Sequence, residues 1–347
     1  MQKDSNTHVL VTGASGFVGR GLVRHLISAG NDVTALVRKH DSSLDEKARQ
    51  IQIADLSSLV SGEMPAELTA CLANMNTVIH TAARAHVLKE SSDDPVTAFR
   101  KSNVDTTLAL ARLAATAGVS RFIFLSSIGV NGNLTKSSLH PDKPERFRET
   151  DEPAPHDLYA QSKWQAEQGL MQIARETGLE VVIIRPPLVY GPDAKGNFAS
   201  LLKWIKRGVP LPLGAVHNQR SLLALDNLTD FIHLCITHPK AANETFLIAD
   251  DEDVSTSELR RRVAIACGKR QCLLPVPVIC MLLMAQLPGK SLVVDRLFGS
   301  LQIDVSKARQ FLGWQPKITM QQQLESMASQ AKSVESRQSG GFLHSRE

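Results

Sequence analysis

The chain is 347 residues long, 43% hydrophobic and 21% charged, with a formal net charge of +4. That length exceeds one typical domain, and the composition is that of a globular protein, not a disordered or fibrous one. The mild positive charge forms no dense lysine or arginine cluster, which argues against nucleic acid and suits a small anionic partner.

From the amino terminus, His8 to Thr12 (HVLVT) has the length and apolarity of a strand. Gly13, Gly16 and Gly19 follow, then an apolar helical pattern through Val23, Leu26 and Ile27 that stops at Gly30, then a strand from Val33 to Val37. Strand, glycine turn, helix and strand open a parallel doubly wound α/β sheet. Further strands are predicted at Ile51 to Ile53, Thr77 to Thr81, Arg121 to Leu125 and Val181 to Ile184, with helices at Pro95 to Ala117 and Leu158 to Thr177. Right-handed crossovers place the strand C-termini along one edge, where ligands bind in such sheets.

Beyond Arg185-Pro186-Pro187 short helices (Phe198 to Lys206, Asn227 to Thr237, Ser257 to Ala266) alternate with short strands. The expected division is a first unit at 1–185 and a smaller α/β unit at 186–332 that closes over the sheet edge. Part of the second unit returns to the first, and a helix from Met320 to Lys332 packs back. Residues 333–347 read as a disordered tail.

The five cysteines, Cys71, Cys235, Cys267, Cys272 and Cys280, are scattered and lack C-x-x-C spacing. Free thiols in a reducing compartment are expected, and no metal site. The polar start, Met1 to Thr7, has no apolar signal core. The run Leu273 to Leu287, broken by Pro275, Pro277 and Gln286, is too short to span a membrane. It reads first as a core helix, then as a pocket lid, then as a segment making weak membrane-surface contact. A soluble cytoplasmic protein is expected.

Glycines at 13, 16 and 19 allow a tight turn and let the backbone around Ser15, Gly16, Phe17 and Val18 approach a pyrophosphate. At the end of the second strand, where an acid would bind the adenosine ribose, stands Arg38, followed by Lys39. A guanidinium there can bind a 2′-phosphate bidentately, so NADP(H) is preferred and NAD(H) stays possible. Asp55, beside Leu56 after the third strand, is placed to cap the adenine amino group.

Tyr159 and Lys163 stand four apart at a helix start and share a face. A phenol titrates near pH 10 when unperturbed, and a neighbouring ammonium is expected to lower that value toward working pH. Ser127 ends a strand and can hold the same substrate oxygen. Tyr-x-x-x-Lys alone is a weak signal, equally readable as a buried tyrosine and a solvated lysine.

Jointly, Gly13-x-x-Gly16-x-x-Gly19, His80-Thr-Ala-Ala83, Asn103, Ser126-Ser127, Tyr159-x-x-x-Lys163 and Arg185-Pro-Pro-Leu-Val-Tyr-Gly-Pro192 resemble the extended short-chain dehydrogenases/reductases. The chain is most similar to their nucleotide-sugar epimerase/dehydratase/reductase branch, from about Val9 to Ser326. The resemblance implies a Rossmann-type NADP(H)-binding unit followed by a nucleotide-sugar-binding one. It implies Tyr159 as acid–base residue, Lys163 as its electrostatic partner and ribose anchor, and Ser127 as the hydroxyl positioning the substrate. It places Ala82, Ala83 and Pro186 beside the cofactor, and Asn103 as a structural partner near it. Arg84, Asn197, Arg220 and Arg296 resemble substrate contacts of that branch, the last with shifted spacing.

Sugar 4,6-dehydratases carry an acidic pair directly after the serine or threonine; here Ile128 and Gly129 stand there, and dehydration is not expected. Arg84-Ala-His86-Val resembles a 4-epimerase-like subgroup that includes 4-ketoreductases making UDP-N-acetylquinovosamine for bacterial surface polysaccharides. The implied partner is a UDP-linked sugar reacting at C4. Arg38 favours an NADPH-dependent reductase of a UDP-4-keto-6-deoxy-N-acetylhexosamine. The alternatives are a UDP-glucose or UDP-N-acetylglucosamine 4-epimerase with tightly bound NAD, its substrate lipid-linked if Leu273 to Leu287 touches a membrane, and, remotely, a non-catalytic NADP(H) sensor. The family also implies a homodimer through the helices Pro95 to Ala117 and Leu158 to Thr177.

Overall fold

The computed structural model describes residues 7–85, 94–137, 140–194, 197–208, 214–269, 274, 276 and 297–341. The strands are β1 (His8–Thr12), β2 (Asp32–Val37), β3 (Arg49–Gln52), β4 (Thr77–His80), β5 (Arg121–Leu125), β6 (Glu180–Arg185), β7 (Leu188–Tyr190), β8 (Arg220–Ala224), β9 (Glu244–Leu247) and β10 (Asp253–Val254). Among the described residues they form a seven-stranded sheet in the order β3-β2-β1-β4-β5-β6-β9 and a three-stranded sheet in the order β10-β8-β7. Every pairing in the large sheet is parallel.

Helices cover both faces, as a parallel sheet requires. Val9 and Val11 of β1 pack with Leu22, Val23 and Leu26 of α1 (Phe17–Ser28) and with Phe231 and Ile232 of helix Leu225–Thr237. Leu10 points the other way, into a layer holding Phe122 and Phe124 of β5, Leu110 of helix Thr106–Thr116 and Leu170 of helix Leu158–Thr177. This is the period-two alternation of a strand read through its own residues.

Chain order gives α2 (Ala66–Leu72), α3 (Pro95–Phe99), α4 (Thr106–Thr116), α5 (Leu158–Thr177), α6 (Asn197–Lys206), α7 (Leu225–Thr237) and α8 (Thr256–Ala266). The helix expected over Pro95 to Ala117 is not uniform: α3 and α4 are joined by a π-helical stretch, Arg100–Asp105. Thr106 Oγ1 donates to the Lys101 carbonyl five residues back, at 2.7 Å, within the widened turn. Such turns collect at functional positions, and this one carries Asn103.

The second half of the chain does not stand apart. β9 extends the main sheet beside β6, with Val182 opposite Glu244, and α7 covers the same face as α1. A smaller core gathers Tyr190, Phe198, Leu222, Val263, Met320 and Leu324. The last helix spans Met320–Gly341, longer than the Met320 to Lys332 expected from sequence. An established helix gains one hydrogen bond for each residue added, so a polar sequence without proline can continue it. Residues 342–347 lie outside the described residues, as do Arg296 and, apart from 274 and 276, the segment 273–287. Among the described residues no helix is long and apolar enough to cross a membrane.

Candidate active site

The glycine turn between β1 and α1 is dictated by crowding. Gly13 has a φ of +69°, and a Cβ there would lie 2.7 Å from the Ala82 nitrogen and 2.9 Å from Thr81 Oγ1. At Gly19 a Cβ would lie 2.1 Å from the Gly13 carbonyl oxygen. Glycine alone therefore brings β1, α1 and the end of β4 together. The Gly16 amide donates to the Gly13 carbonyl at 2.8 Å.

Helix α1 starts at Gly16 with no side-chain cap and no acidic residue in its first turn. Its first-turn N–H groups, from Phe17 and Val18, thus face outward with positive character and fit a diphosphate. Ser15, half-buried, accepts from Arg20 Nη2 through its carbonyl at 3.3 Å. Ala82 and Ala83 follow Thr81 just beyond β4 and present no side chain beyond a methyl. The residues present therefore suit a dinucleotide.

Arg38 and Lys39 follow β2 and are exposed. An acid does occur nearby: Asp41 pairs with Arg20 Nη2 at 3.0 Å and accepts from Ser43 Oγ at 2.5 Å. Hydrogen bonds from Ser43, then Arg20, hold its carboxyl below the usual range. That side chain was not singled out in the sequence, and its engagement leaves Arg38 and Lys39 as the exposed charges at the strand end. Asp55 is also engaged locally. Its oxygens accept from the Ser57 amide at 2.9 Å and Ser57 Oγ at 2.8 Å, capping the 3₁₀ turn Leu56–Ser61.

Asn103 Oδ1 accepts from the Arg84 amide at 2.7 Å, while Nδ2 donates to the Arg84 carbonyl at 3.1 Å and to Ser162 Oγ at 3.0 Å. It thereby fixes the chain after β4 against α5. The Arg84 guanidinium lies 5.7 Å from the Phe99 ring centre. His80, fully buried, bridges Thr12 Oγ1 at 2.7 Å and Thr107 Oγ1 at 3.0 Å. Burial, with the Lys163 charge second, pushes its imidazole down to about 3, so it stays neutral.

Ser127 stands just past the end of β5, and Tyr159 and Lys163 lie in the first turns of α5. Ser127 Oγ accepts from the Gly129 amide at 3.1 Å, leaving its own proton free to donate outward. Ile128, Gly129 and Val130 are buried, and the Ile128 amide donates to the Pro186 carbonyl at 3.0 Å. Helix α5 is capped by Asp157, whose Oδ1 accepts from the Ala160 amide at 2.7 Å. The Lys163 ammonium lies 5.9 Å from the Tyr159 ring centre and 4.3 Å over Phe124, and donates to the Leu125 carbonyl at 2.7 Å.

The electrostatics differ from those expected from the sequence. Burial, then the Asp157 charge, push the Tyr159 phenol up to about 12. Burial lowers Lys163 to about 7, opposed by the Glu167 carboxylate. Loss of water is the largest effect on both groups, while the ammonium donates to the Leu125 carbonyl and lies over the Phe124 ring.

His156, unremarked in the sequence, stands here too. A Cβ on Gly129 would meet Ser127 Oγ at 3.3 Å and His156 Cε1 at 3.6 Å. No spacing rule would have found it. The remaining described sequence candidates stand on other elements: Arg220 opens β8 and donates from Nη1 to the Gly299 carbonyl at 3.0 Å, and Asn197 begins α6.

A model of the NAD dependent epimerase/dehydratase family matches residues 9–249. A UDP-glucose 4-epimerase of Vibrio cholerae is 42% identical over 315 residues, 90% of this chain and 92% of that one. An N-acetyl-alpha-D-glucosaminyl-diphospho-ditrans,octacis-undecaprenol 4-epimerase of Escherichia coli O157:H7 is 29% identical over 322 residues, 87% and 88% of the two chains. In fold, the chain is similar to UDP-glucose 4-epimerase from Thermotoga maritima, solved with UDP-glucose, with a TM-score of 0.74 at 23% identity over 94% of this chain and 99% of that one. The chain belongs to the NAD dependent epimerase/dehydratase family, within the extended short-chain dehydrogenases/reductases and on their nucleotide-sugar branch.

Proposed function

We propose that this enzyme oxidises and reduces C4 of a UDP-linked sugar, and that the net reaction is 4-epimerisation. The observation that carries the C4 chemistry is the Lys163 ammonium beside the Tyr159 ring at the start of α5, with Ser127 just past β5 next to buried Ile128 and Gly129. This set can move one hydroxyl proton. Ile128 and Gly129, directly after Ser127, offer no carboxylic acid to expel a neighbouring hydroxyl, which argues against dehydration. The extent of likeness to the Vibrio cholerae 4-epimerase supports the sugar class and the outcome.

The glycine turn and the uncapped start of α1 would hold the cofactor diphosphate, and Lys163 would hold its ribose. The bound nicotinamide supplies the hydride acceptor and donor. The chain's own residues handle the proton. Ser127 Oγ, with its lone pair held by the Gly129 amide, donates to the C4 oxygen and fixes its position. Tyr159 Oη takes the proton as the hydroxyl becomes a carbonyl and returns it on reduction; such a positioned group contributes about 10²–10⁴-fold. Lys163, when charged, favours the phenolate. Asn197, Arg220, Arg296 and Arg84 are proposed to bind the UDP-sugar.

Exposed Arg38 favours a second reading, NADPH-dependent reduction of a UDP-4-keto-6-deoxy-N-acetylhexosamine. One assay separates the two. Purified protein is incubated with UDP-glucose or UDP-N-acetylglucosamine and NAD, and separately with the UDP-4-keto sugar and NADPH. Interconversion of C4 epimers without net nicotinamide turnover supports the epimerase. Stoichiometric NADPH oxidation with the keto sugar, and no epimerisation, overturns it in favour of the reductase.

A further inference from the structure

Behind the reacting edge lies a buried polar chain that takes no direct part in the proton transfer. Glu167 follows Lys163 by one turn, so Tyr159, Lys163 and Glu167 stack along one face of α5. Its carboxylate, 2% exposed, accepts from Arg185 Nε at 3.0 Å and Arg185 Nη2 at 2.5 Å, and in a very short contact from Ser126 Oγ. Arg185 ends β6 and donates from Nη1 to Asn131 Oδ1 at 2.9 Å. Ser126 sits between Leu125, whose carbonyl takes the Lys163 ammonium, and Ser127. Its amide donates to the Ile184 carbonyl at 2.8 Å.

We infer that Glu167 and Ser126 are positioning residues: their hydrogen bond locks the β5 turn bearing Ser127 to the helix bearing Tyr159 and Lys163. This rests on the C4 reading above. Three elements that carry the reacting groups or their supports, namely β5, α5 and β6, are tied at one carboxylate. The stability case for that carboxylate is weak, since buried ion pairs replaced by apolar groups are often neutral or more stable. The geometric case is strong. Ser127 Oγ and Tyr159 Oη must address one substrate oxygen, and a misplacement of about 1 Å can cost about 10²-fold in rate.

Glu167 also acts on Lys163 through charge. The groups facing the ammonium are Tyr159 and Glu167 from α5, His80 from β4, and the Phe124 ring and Leu125 carbonyl from β5. His80 is neutral, so Glu167 is the anion that holds Lys163 protonated against burial.

The first test uses the full-length protein, its nicotinamide cofactor and the UDP-sugar it turns over. Ser126→Ala leaves the Glu167–Arg185 pair intact and is expected to lower kcat by about 10–100-fold, with KM and cofactor Kd within about twofold. Ser126→Thr, which keeps the hydroxyl, is expected to restore most of the rate. Wild-type kcat in Ser126→Ala, or a loss that appears in KM alone, overturns the inference.

The second test needs no substrate, so it separates failure of the C4 reading from failure of this one. In the cofactor-free protein, thermal stability should rise above about pH 7 as folded Lys163 sheds its proton. Glu167→Gln moves that rise to lower pH. Ser126→Ala, by removing a donor from the carboxylate, moves it to higher pH. A rise that neither variant moves refutes the coupling whatever the substrate. Should Glu167→Gln not fold, Ser126→Ala decides alone.

Discussion

Lys163 Nζ donates to the carbonyl oxygen of Leu125 at 2.7 Å, so the ammonium is anchored to the end of β5. Its side chain is nearly fully buried, and burial lowers its pKa to about 7. Between about pH 7 and pH 10.5 the unfolded chain therefore binds a proton that the folded chain has released. Stability rises with pH wherever the unfolded state holds more protons, so the penalty is full below pH 7 and fades across that window. Thermal unfolding of the cofactor-free enzyme from pH 6.5 to 9.5 should show this rise, and Lys163→Met should flatten it. An equal slope in both proteins would mean that Lys163 is not the titrating group.

Tyr159→Phe removes the phenol oxygen and leaves the ring in place. Turnover should fall by about 10²–10⁴-fold, the range for loss of a positioned acid–base group. Cofactor affinity, read by fluorescence titration, should change little. Retained turnover would end the catalytic assignment and favour a cofactor-sensing protein.

Gly19→Ala tests the crowding at the glycine turn. The added Cβ would sit 2.1 Å from the Gly13 carbonyl, and backbone cannot yield as a side-chain tip does. Overpacking of this kind costs about 1–3 kcal/mol, and more where relaxation is blocked. Urea denaturation should show the loss, with cofactor affinity falling alongside. Gly62→Ala is the contrast: a Cβ there meets nothing within 4 Å, and only its φ of +83° is unfavourable.

Arg38→Glu tests the adenosine end. If Arg38 holds a 2′-phosphate, NADP(H) affinity should drop about 10–100-fold, as expected for one charge-assisted hydrogen bond worth about 1.5–3 kcal/mol. NAD(H) affinity should hold or improve. Equal effects on both cofactors in a calorimetric titration would leave Arg38 with no part in the choice.

The sheet was legible because its strands are short apolar runs punctuated by glycine and proline. β1, β5 and α5 have the bounds expected from sequence. The motif residues were legible for a related reason: the turn at Gly13 and the i, i+4 step from Tyr159 to Lys163 are local geometry written in spacing. Other features were not. The break in Pro95 to Ala117 follows from hydrogen bonds of Thr106 and Asn103, and β9 joins the main sheet through a partner far earlier in the chain.

What the sequence determined by itself is the architecture and the identity of the groups at its edge, because periodicity and glycine placement act over a few residues. Only the tertiary structure decided the state of those groups. Water is removed from Lys163 by packing among distant segments, and Glu167 meets Ser126 and Arg185 across 41 and 18 residues. Desolvation and buried pairing are properties of the assembled fold, so no local pattern encodes them.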